Sequence, residues 1–410
     1  MVRGRGLLRI DEMTDSGEFE VWSGKAWRTT TAVESGVQPV VEVLLNNGSR
    51  IKLTGDHPIL TDSGMIHAHV IDNERLPLEL PSDVCFPEVA MISSVNWHSG
   101  GPHEQFPREW TRDVGMFLGV VLGDGAMSGG EYPTIIIGLG RQDRDDLIHL
   151  RDVVGGWCGS KSQVVDFESS PNKFCDEHRP MSRIQWRVKS LIEFVGQLGL
   201  DKSLPIEERR VPSSIWTASA SGVSGFLAGL FGTDGAVSVN GAGKIEISMS
   251  SVSAGLLEDV QNLLCAFGIK SSMWSYPKKE QYKQLFALSV FGKKNVDLFT
   301  RRIGFSCRRK RDALAKAISE STIVGRGNRH LSVESVRDVG VEKVYDLVNV
   351  GDERQFVANG ISVSNCWDFR RHGRVQVLDA LRKGRVMILT EEIWHAYIRD
   401  EPEVRIVSAV

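Results

Sequence analysis

Apolar and polar positions alternate in short runs through the first 95 residues, at 19–22, 40–45 and 50–54, with an Asn-Asn-Gly turn at 46–48. Period-two runs broken by turn residues predict a segment built of β-strands. From about 105 to 320 the period changes, and helical stretches such as 144–154 and 254–267 alternate with strands such as 184–188 and 285–290. The short-strand pattern returns over 331–365, in 344–350 and 355–363. A β pattern that stops for roughly 200 residues and then resumes predicts one domain split by another. Residues 367–410 read as helix, strand, helix, strand, with strands at 385–390 and 403–410, too short a piece to bury a core of its own.

The insert repeats itself. Phe117-Leu-Gly-Val-Val-Leu-Gly-Asp124-Gly125 and Leu227-Ala-Gly-Leu-Phe-Gly-Thr-Asp234-Gly235 share a pattern, with their aspartates 110 positions apart. After Asp124 come a strand near 134–138, a helix from 144, strands around 164 and 184, and a helix at 191–198. After Asp234 the same order recurs: a strand near 244–249, a helix from 254, strands around 273 and 285, and a helix at 296–303. Two like halves predict a pseudo-twofold molecule.

Each motif reads as an apolar helix with small residues, Gly119 and Gly123 in the first, Ala228, Gly229 and Gly232 in the second, which let two helix backbones approach closely. Each ends at an aspartate followed by glycine, where a left-handed cap is expected. Asp124 and Asp234 then lie side by side at the negative ends of two helix dipoles, an arrangement that calls for cations. Oxygen-only ligands suit Mg²⁺, and metal beside a phosphate supports phosphodiester hydrolysis. A lone copy would be read as a buried helix with an Asp-Gly end; two copies with matching sequels favour the functional reading.

Composition changes this picture in three places. At 410 residues the chain predicts two or three domains, and 41% hydrophobic with 25% charged residues is the balance of a globular protein. No apolar run approaches the ~20 residues of a membrane helix and the first dozen residues hold no signal-peptide core, so an intracellular protein is expected. The six cysteines form no C-x-x-C pair, and Cys175 with His178 is read as an incidental loop pair. Net charge is only −3, yet residues 265–330 hold 15 Lys and Arg against 4 Asp and Glu. Such a segment can follow a phosphate backbone, a solvated surface being the plainer alternative.

The paired motifs resemble those of LAGLIDADG homing endonucleases. That resemblance implies an α+β, pseudo-twofold fold of αββαββα repeats over 105–322, with antiparallel sheets forming a saddle over the DNA major groove. It implies Asp124 and Asp234 as metal-binding catalytic acids, Mg²⁺ as cofactor, and a long double-stranded DNA site as partner of a monomer. A basic residue near the site in each half is also implied. Lys202 and Arg209 are the candidates in one half, Arg209 standing in Glu208-Arg209-Arg210-Val211-Pro212 where inteins usually carry Lys; Lys310 is the candidate in the other.

The flanks are similar to the splicing blocks of inteins: Thr54-Gly55-Asp56-His57-Pro58, Val344-Tyr345-Asp346-Leu347, Phe356-Val357-Ala358-Asn359-Gly360 and Ser364-Asn365-Cys366. By this resemblance residues 1–95 and 330–365 form an all-β Hint horseshoe split by the endonuclease, and 366–410 begin a downstream extein. Thr54 and His57 would polarise the upstream scissile amide, Asp346 would assist proton movements, Cys366 would accept the acyl group, and Asn365 would cyclise and break the chain. The chain opens without the cysteine or serine that starts an intein, Gly4-Arg5-Gly6-Leu7-Leu8-Arg9-Ile10 resembling the middle of the first block. Ser364 and Arg354 stand where inteins commonly have His, so splicing is expected to be impaired, with at most slow cleavage at Asn365. The competing expectation is a LAGLIDADG-derived DNA-binding protein that no longer cleaves.

Overall fold

The computed structural model describes residues 1–78, 80–100, 103–170, 177–240, 243–278, 280, 282–320, 331–348 and 350–365, with the backbone of 367–368 and 387–388. In chain order the strands are β1 (Phe19–Trp22), β2 (Trp27–Leu45), β3 (Arg50–Thr54), β4 (Pro58–Thr61), β5 (Gly64–His67) and β6 (Arg75–Leu76). Then come α1 (Arg112–Asp124), β7 (Gly125–Ser128), β8 (Thr134–Gly140), α2 (Arg144–Cys158), β9 (Val165–Glu168), β10 (Pro180–Trp186) and α3 (Lys189–Gln197). The same series follows as α4 (Ala220–Asp234), β11 (Gly235–Val239), β12 (Ile245–Ser251), α5 (Ala254–Ala266), β13 (Ser272–Ser275), β14 (Phe286–Phe291) and α6 (Lys293–Arg302), with an added α7 (Arg308–Glu320). The chain returns to strands in β15 (Leu331–Val348), β16 (Gln355–Ala358), β17 (Ile361–Ser364), β18 (Trp367–Asp368) and β19 (Met387–Ile388). Cys366 and the expected helices and terminal strand of the last segment lie outside the described residues, as does Cys175. Within the strand expected at 385–390, Met387–Ile388 is strand, paired parallel to Trp367–Asp368.

The chain forms two compact units. One comprises Leu8–Leu44, Arg50–Glu79 and the described residues from Ser332 onward. It holds a sheet in the order β1-β2-β15-β6, with β3 also on β2, and a second sheet in the order β16-β17-β4-β5. Val21, Val41, Val43, Leu53, Ile59, Leu347, Val357, Ile361 and Val363 are buried in this unit. The single run read at 355–363 is a hairpin: Ala358 faces Ile361 across Asn359 (φ 50°) and Gly360 (φ 77°), the positive-φ pair of a two-residue turn. β2 and β15 are far longer than the short runs expected, because Gly36 and Gly340, which look like chain breaks, sit inside them at φ 89° and 97° as kinks rather than ends.

The other unit comprises Met1–Leu7, Leu45–Ser49 and Leu80–Leu331. Its two sheets run β7-β8-β10-β9 and β11-β12-β14-β13, the same order twice, so the repeat seen in the sequence is a repeat of fold. Residues 1–7 and 80–95, read from the sequence with the β segment, pack here: Gly6 N–H donates to Cys85 O (3.2 Å) and Leu7 N–H to Trp216 O (3.2 Å). Asn47 O accepts from Met273 N–H (2.8 Å) and from Gln261 Nε2 (2.9 Å). Each half has its own aromatic core, Phe117, Trp186 and Phe194 in the first, Phe231, Phe299 and Phe305 in the second. Among the described residues no helix is long and apolar enough to cross a membrane.

Candidate functional site

Both motif helices begin at a hydroxyl cap, Thr111 accepting from Val114 N–H and Ser219 from Gly222 N–H. The helices α1 and α4 then run against each other in close contact. A Cβ added at Gly115 or Gly119 would strike the backbone of α4 at Gly222 and Phe226, and one at Gly225 or Gly229 would strike Arg112 and Met116 of α1. Glycine at every fourth position therefore clears one stripe on each helix, at 115, 119 and 123 on α1 and at 225 and 229 on α4. Gly115 and Gly225 were missed in the sequence although the four-residue spacing carries the signal. Gly232 was assigned to this interface and belongs elsewhere: its added Cβ would meet Ser306 and Cys307.

The expected left-handed caps do not form. Gly125 (φ −77°, ψ 145°) and Gly235 (φ −81°, ψ 159°) are extended and open β7 and β11 directly. These glycines are required by space, since a Cβ at Gly125 would lie 2.5 Å from Val121 O and one at Gly235 would collide with Phe231 O. Helix-end carbonyls are instead met by lysines. Lys202 Nζ donates to Leu122 O (2.6 Å), and Lys310 Nζ donates to Thr233 O (2.7 Å) and Phe231 O (3.3 Å). Each lysine thus occupies the same place on its own motif helix, where cations suit both the free carbonyls and the dipole.

Asp124 and Asp234 sit at these two helix ends with an open face to solvent, and the lysines are half-buried. Crowding by protein pushes the Asp234 carboxyl up to about 6; loss of hydration is the main cause and the charge of Asp124 adds to it, against Lys310, Lys202 and Arg209. Asp124 is raised as well, by the same loss of hydration, and the two lysines oppose it. The two carboxylates repel each other, and the first proton belongs to the pair. Burial pushes Lys202 down to about 8, helped by Arg209 and opposed by the two aspartates. Lys310 is lowered too, first by burial. Arg209 therefore stands within electrostatic reach of Lys202 and Asp234, its Nε buried and without a hydrogen-bond partner among the described residues. Two carboxylates that resist joint ionisation, at the negative ends of two helices and with oxygen as their donor atoms, fit a hard divalent cation. A cavity of about 590 Å³ in the same unit is lined by Arg112 and Asp113 at the other end of α1 and does not hold these groups.

In the β unit the pairing of Val363 with Ile59 brings β17 alongside β4, and His57 Nε2 lies 3.1 Å from Ser364 O, the carbonyl preceding Asn365. His57 N–H donates to Thr54 O (3.0 Å), so the Thr54–His57 turn is closed by its own backbone. Asn365 is buried, with its N–H on Arg354 O (3.1 Å). Asp346 is buried and accepts from Leu347 N–H (2.7 Å).

The family model described as a LAGLIDADG-like domain matches residues 221–304, from the first turn of α4 to just beyond α6. The chain is 41% identical over 112 residues to a probable translation initiation factor IF-2 of Thermococcus kodakarensis, covering 27% of this chain and 9% of that protein. It is 28% identical over 187 residues to a DNA polymerase of Thermococcus litoralis, covering 43% of this chain and 11% of the polymerase. With the protein RecA of Mycobacterium bovis it shares 25% identity over 422 residues, 98% of this chain and 48% of that one. The chain thus spans about a tenth of the length of the first curated relatives it matches. Among solved structures it is similar to the homing endonuclease I-WcaI bound to its DNA recognition sequence, with TM-score 0.36 and 14% identity, over 49% of this chain and 87% of that one. It is also similar to a DnaB intein from Synechocystis, with TM-score 0.16 and 20% identity, over 18% of this chain and 67% of that one.

Proposed function

We propose that this chain is an intein carrying a site-specific, Mg²⁺-dependent endonuclease that cuts double-stranded DNA. One observation carries the nuclease half: two aspartates at the ends of two glycine-locked helices, each helix end capped by a lysine from its own half. Asp124 and Asp234 would hold the cation. When bound, it would activate water and stabilise the leaving oxygen of a phosphodiester. Lys202 and Lys310 keep positive charge beside the place a scissile phosphate would take, and Arg209 adds a third cation on the Lys202 side. With a lysine already in each half, Arg209 has no need to replace one, which favours cleavage over the DNA-binding reading. The basic stretch over 265–330 supplies further charge for the phosphate backbone.

The splicing half rests on His57 beside the Ser364 carbonyl, one residue before Asn365. A His N–H on that carbonyl would hold the peptide entering Asn365 and so orient the residue, whose side-chain amide must attack its own backbone carbonyl carbon, breaking the bond to Cys366 and releasing the Cys366 amine. Partial matches to proteins as different as an initiation factor, a DNA polymerase and RecA are what an element that moves between hosts would produce.

The test is a supercoiled plasmid library with random and host-like inserts, incubated with Mg²⁺ or with EDTA. Metal-dependent cutting at one site by the wild type, lost in Asp124→Asn, is expected. Tight binding without cuts in either protein would move the assignment to a DNA-binding protein that does not cleave.

A further inference from the structure

α7 is the element that breaks the symmetry of the repeat, and its first turn carries Lys310. Two carboxylates from the first half, and the thiol of Cys307 just before the helix, hold that turn. Asp143, nine-tenths buried, takes a forked pair of bonds from Arg309, with Nε and Nη2 each 3.0 Å from a carboxylate oxygen. Both oxygens of Asp146 lie 3.3 Å from the Arg308 N–H, where a carboxylate suits the start of a helix. The Cys307 thiol, kept neutral by burial, donates to Asp143 Oδ1 (3.5 Å). The donor atoms of Asp143, Asp146 and Cys307 lie within 4.8 Å of one another, a metal-like spacing, but both carboxylates are already engaged by Arg309 and the Arg308 amide. From the other side Ser306 N–H donates to Ala228 O (2.9 Å), and Gly232 leaves room for Ser306 against α4.

Among the described residues Lys202 has no such frame. It lies outside any helix or strand, next to an exposed stretch over 203–208, and Asp201 beside it bonds to Ser203. We infer that Asp143 and Asp146 are positioning residues that hold Lys310 at the end of α4 and so govern one of the two strand cuts, a statement that rests on the nuclease reading for its second part. A forked Arg–carboxylate pair fixes orientation as well as distance. Freeing it releases the first turn of α7, and Lys310 Nζ leaves the Thr233 carbonyl, while Lys202 keeps its own bond to Leu122 O. One strand's cut then slows and the other's does not.

The clamp is tested on the full chain without DNA by trace acylation of lysine amines at neutral pH and peptide mass spectrometry. Asp143→Asn should raise labelling of Lys310 severalfold and leave Lys202 unchanged. Arg309→Lys, which keeps the charge and loses the fork, should do so in part, and the double reversal Asp143→Arg with Arg309→Asp should restore protection. Unchanged Lys310 labelling in Asp143→Asn and Asp146→Asn would overturn the clamp, as would Lys202 and Lys310 rising together, the sign of general unfolding. The second part is read from plasmid cleavage with Mg²⁺: Asp143→Asn should accumulate nicked circles, cut in the strand that Lys310→Met spares. Equal slowing of both strands would overturn it. A wild type that cuts nothing would overturn the nuclease reading and the strand effect together, leaving the labelling to decide the clamp alone.

Discussion

Glycine to alanine in the middle of a helix ordinarily stabilises a protein by up to ~1 kcal/mol, because alanine loses less backbone entropy. At Gly119 the sign should reverse. A Cβ there would lie 2.8 Å from Leu230 N and 3.0 Å from Phe226 C, and would run into Phe226 O, all of them backbone atoms that no rotamer change can move. Restoring ordinary contact requires the two helices to part by about 1 Å at that level. Overpacking of this kind costs about 1–3 kcal/mol, and a clash with three backbone atoms of the facing helix belongs at the upper end. Subtracting the propensity gain leaves a net loss of ~2 kcal/mol. Gly196 in α3 is the control, since an added Cβ meets nothing within 4 Å, and Gly196→Ala should gain up to ~1 kcal/mol. With a urea slope of ~3 kcal/mol/M, the midpoint should fall by ~0.7 M for Gly119→Ala and rise by ~0.3 M for Gly196→Ala. Parting the helices also moves Asp124 relative to Asp234, so cleavage should fall in the first variant only. Midpoints that move in the same direction for both would refute the helix contact on which the site is built.

Two pH effects of opposite sign are expected. In EDTA, Asp234 has its folded pKa raised from 3.8 to about 6, so the protein binds that proton more tightly when folded, and stability falls as pH rises across this window. Thermal melts of Asp234→Asn should be flatter there than those of the wild type, and an equally steep fall would contradict the crowding of the pair. Glu353 is drawn down from 4.5 to about 2, chiefly by its bond from Arg28 (2.6 Å), so its contribution is present above 4.5 and lost as pH falls towards 2. Glu353→Gln should lessen the acid sensitivity of the β unit, measured by circular dichroism. Asn365→Ala should abolish any slow release of the segment from Cys366 onward, and His57→Ala should slow it, followed by intact-mass spectrometry; undiminished release in Asn365→Ala would exclude cyclisation as the cause.

What could be read in the sequence was whatever repeats or alternates. The 110-residue offset between Asp124 and Asp234 carried with it the order from the strands near 134 and 244 to the helices near 191 and 296, because the same hydrophobic period had to be kept twice, but not β7 and β11, which leave each aspartate directly as four- and five-residue strands. β1 and β3 were legible to the residue. The long strands β2 and β15 were not, since Gly36 and Gly340 signal a turn to any local reading and only pairing across the sheet shows that the strand continues through them. α7 was hidden for a related reason: Arg308-Arg309-Lys310-Arg311 reads as charge for DNA, and its role in ion pairs with Asp143 depends on a partner 166 positions away.

The Asp-Gly ends show how a site proposal can rest on a wrong local argument. Acid followed by glycine suggested a left-handed cap, in which the glycine turns the chain and satisfies the last carbonyls. Here the glycine is extended, and its lack of a side chain clears Val121 or Phe231 so that helix passes straight into strand. The carbonyls left over by that geometry need donors from elsewhere, and Lys202 and Lys310 provide them. A left-handed cap would have used those carbonyls internally and left no reason for a lysine at either helix end. The extended glycine, the lysine and the aspartate are therefore parts of one arrangement, and it is this arrangement that places a cation and a carboxylate together at the end of each helix.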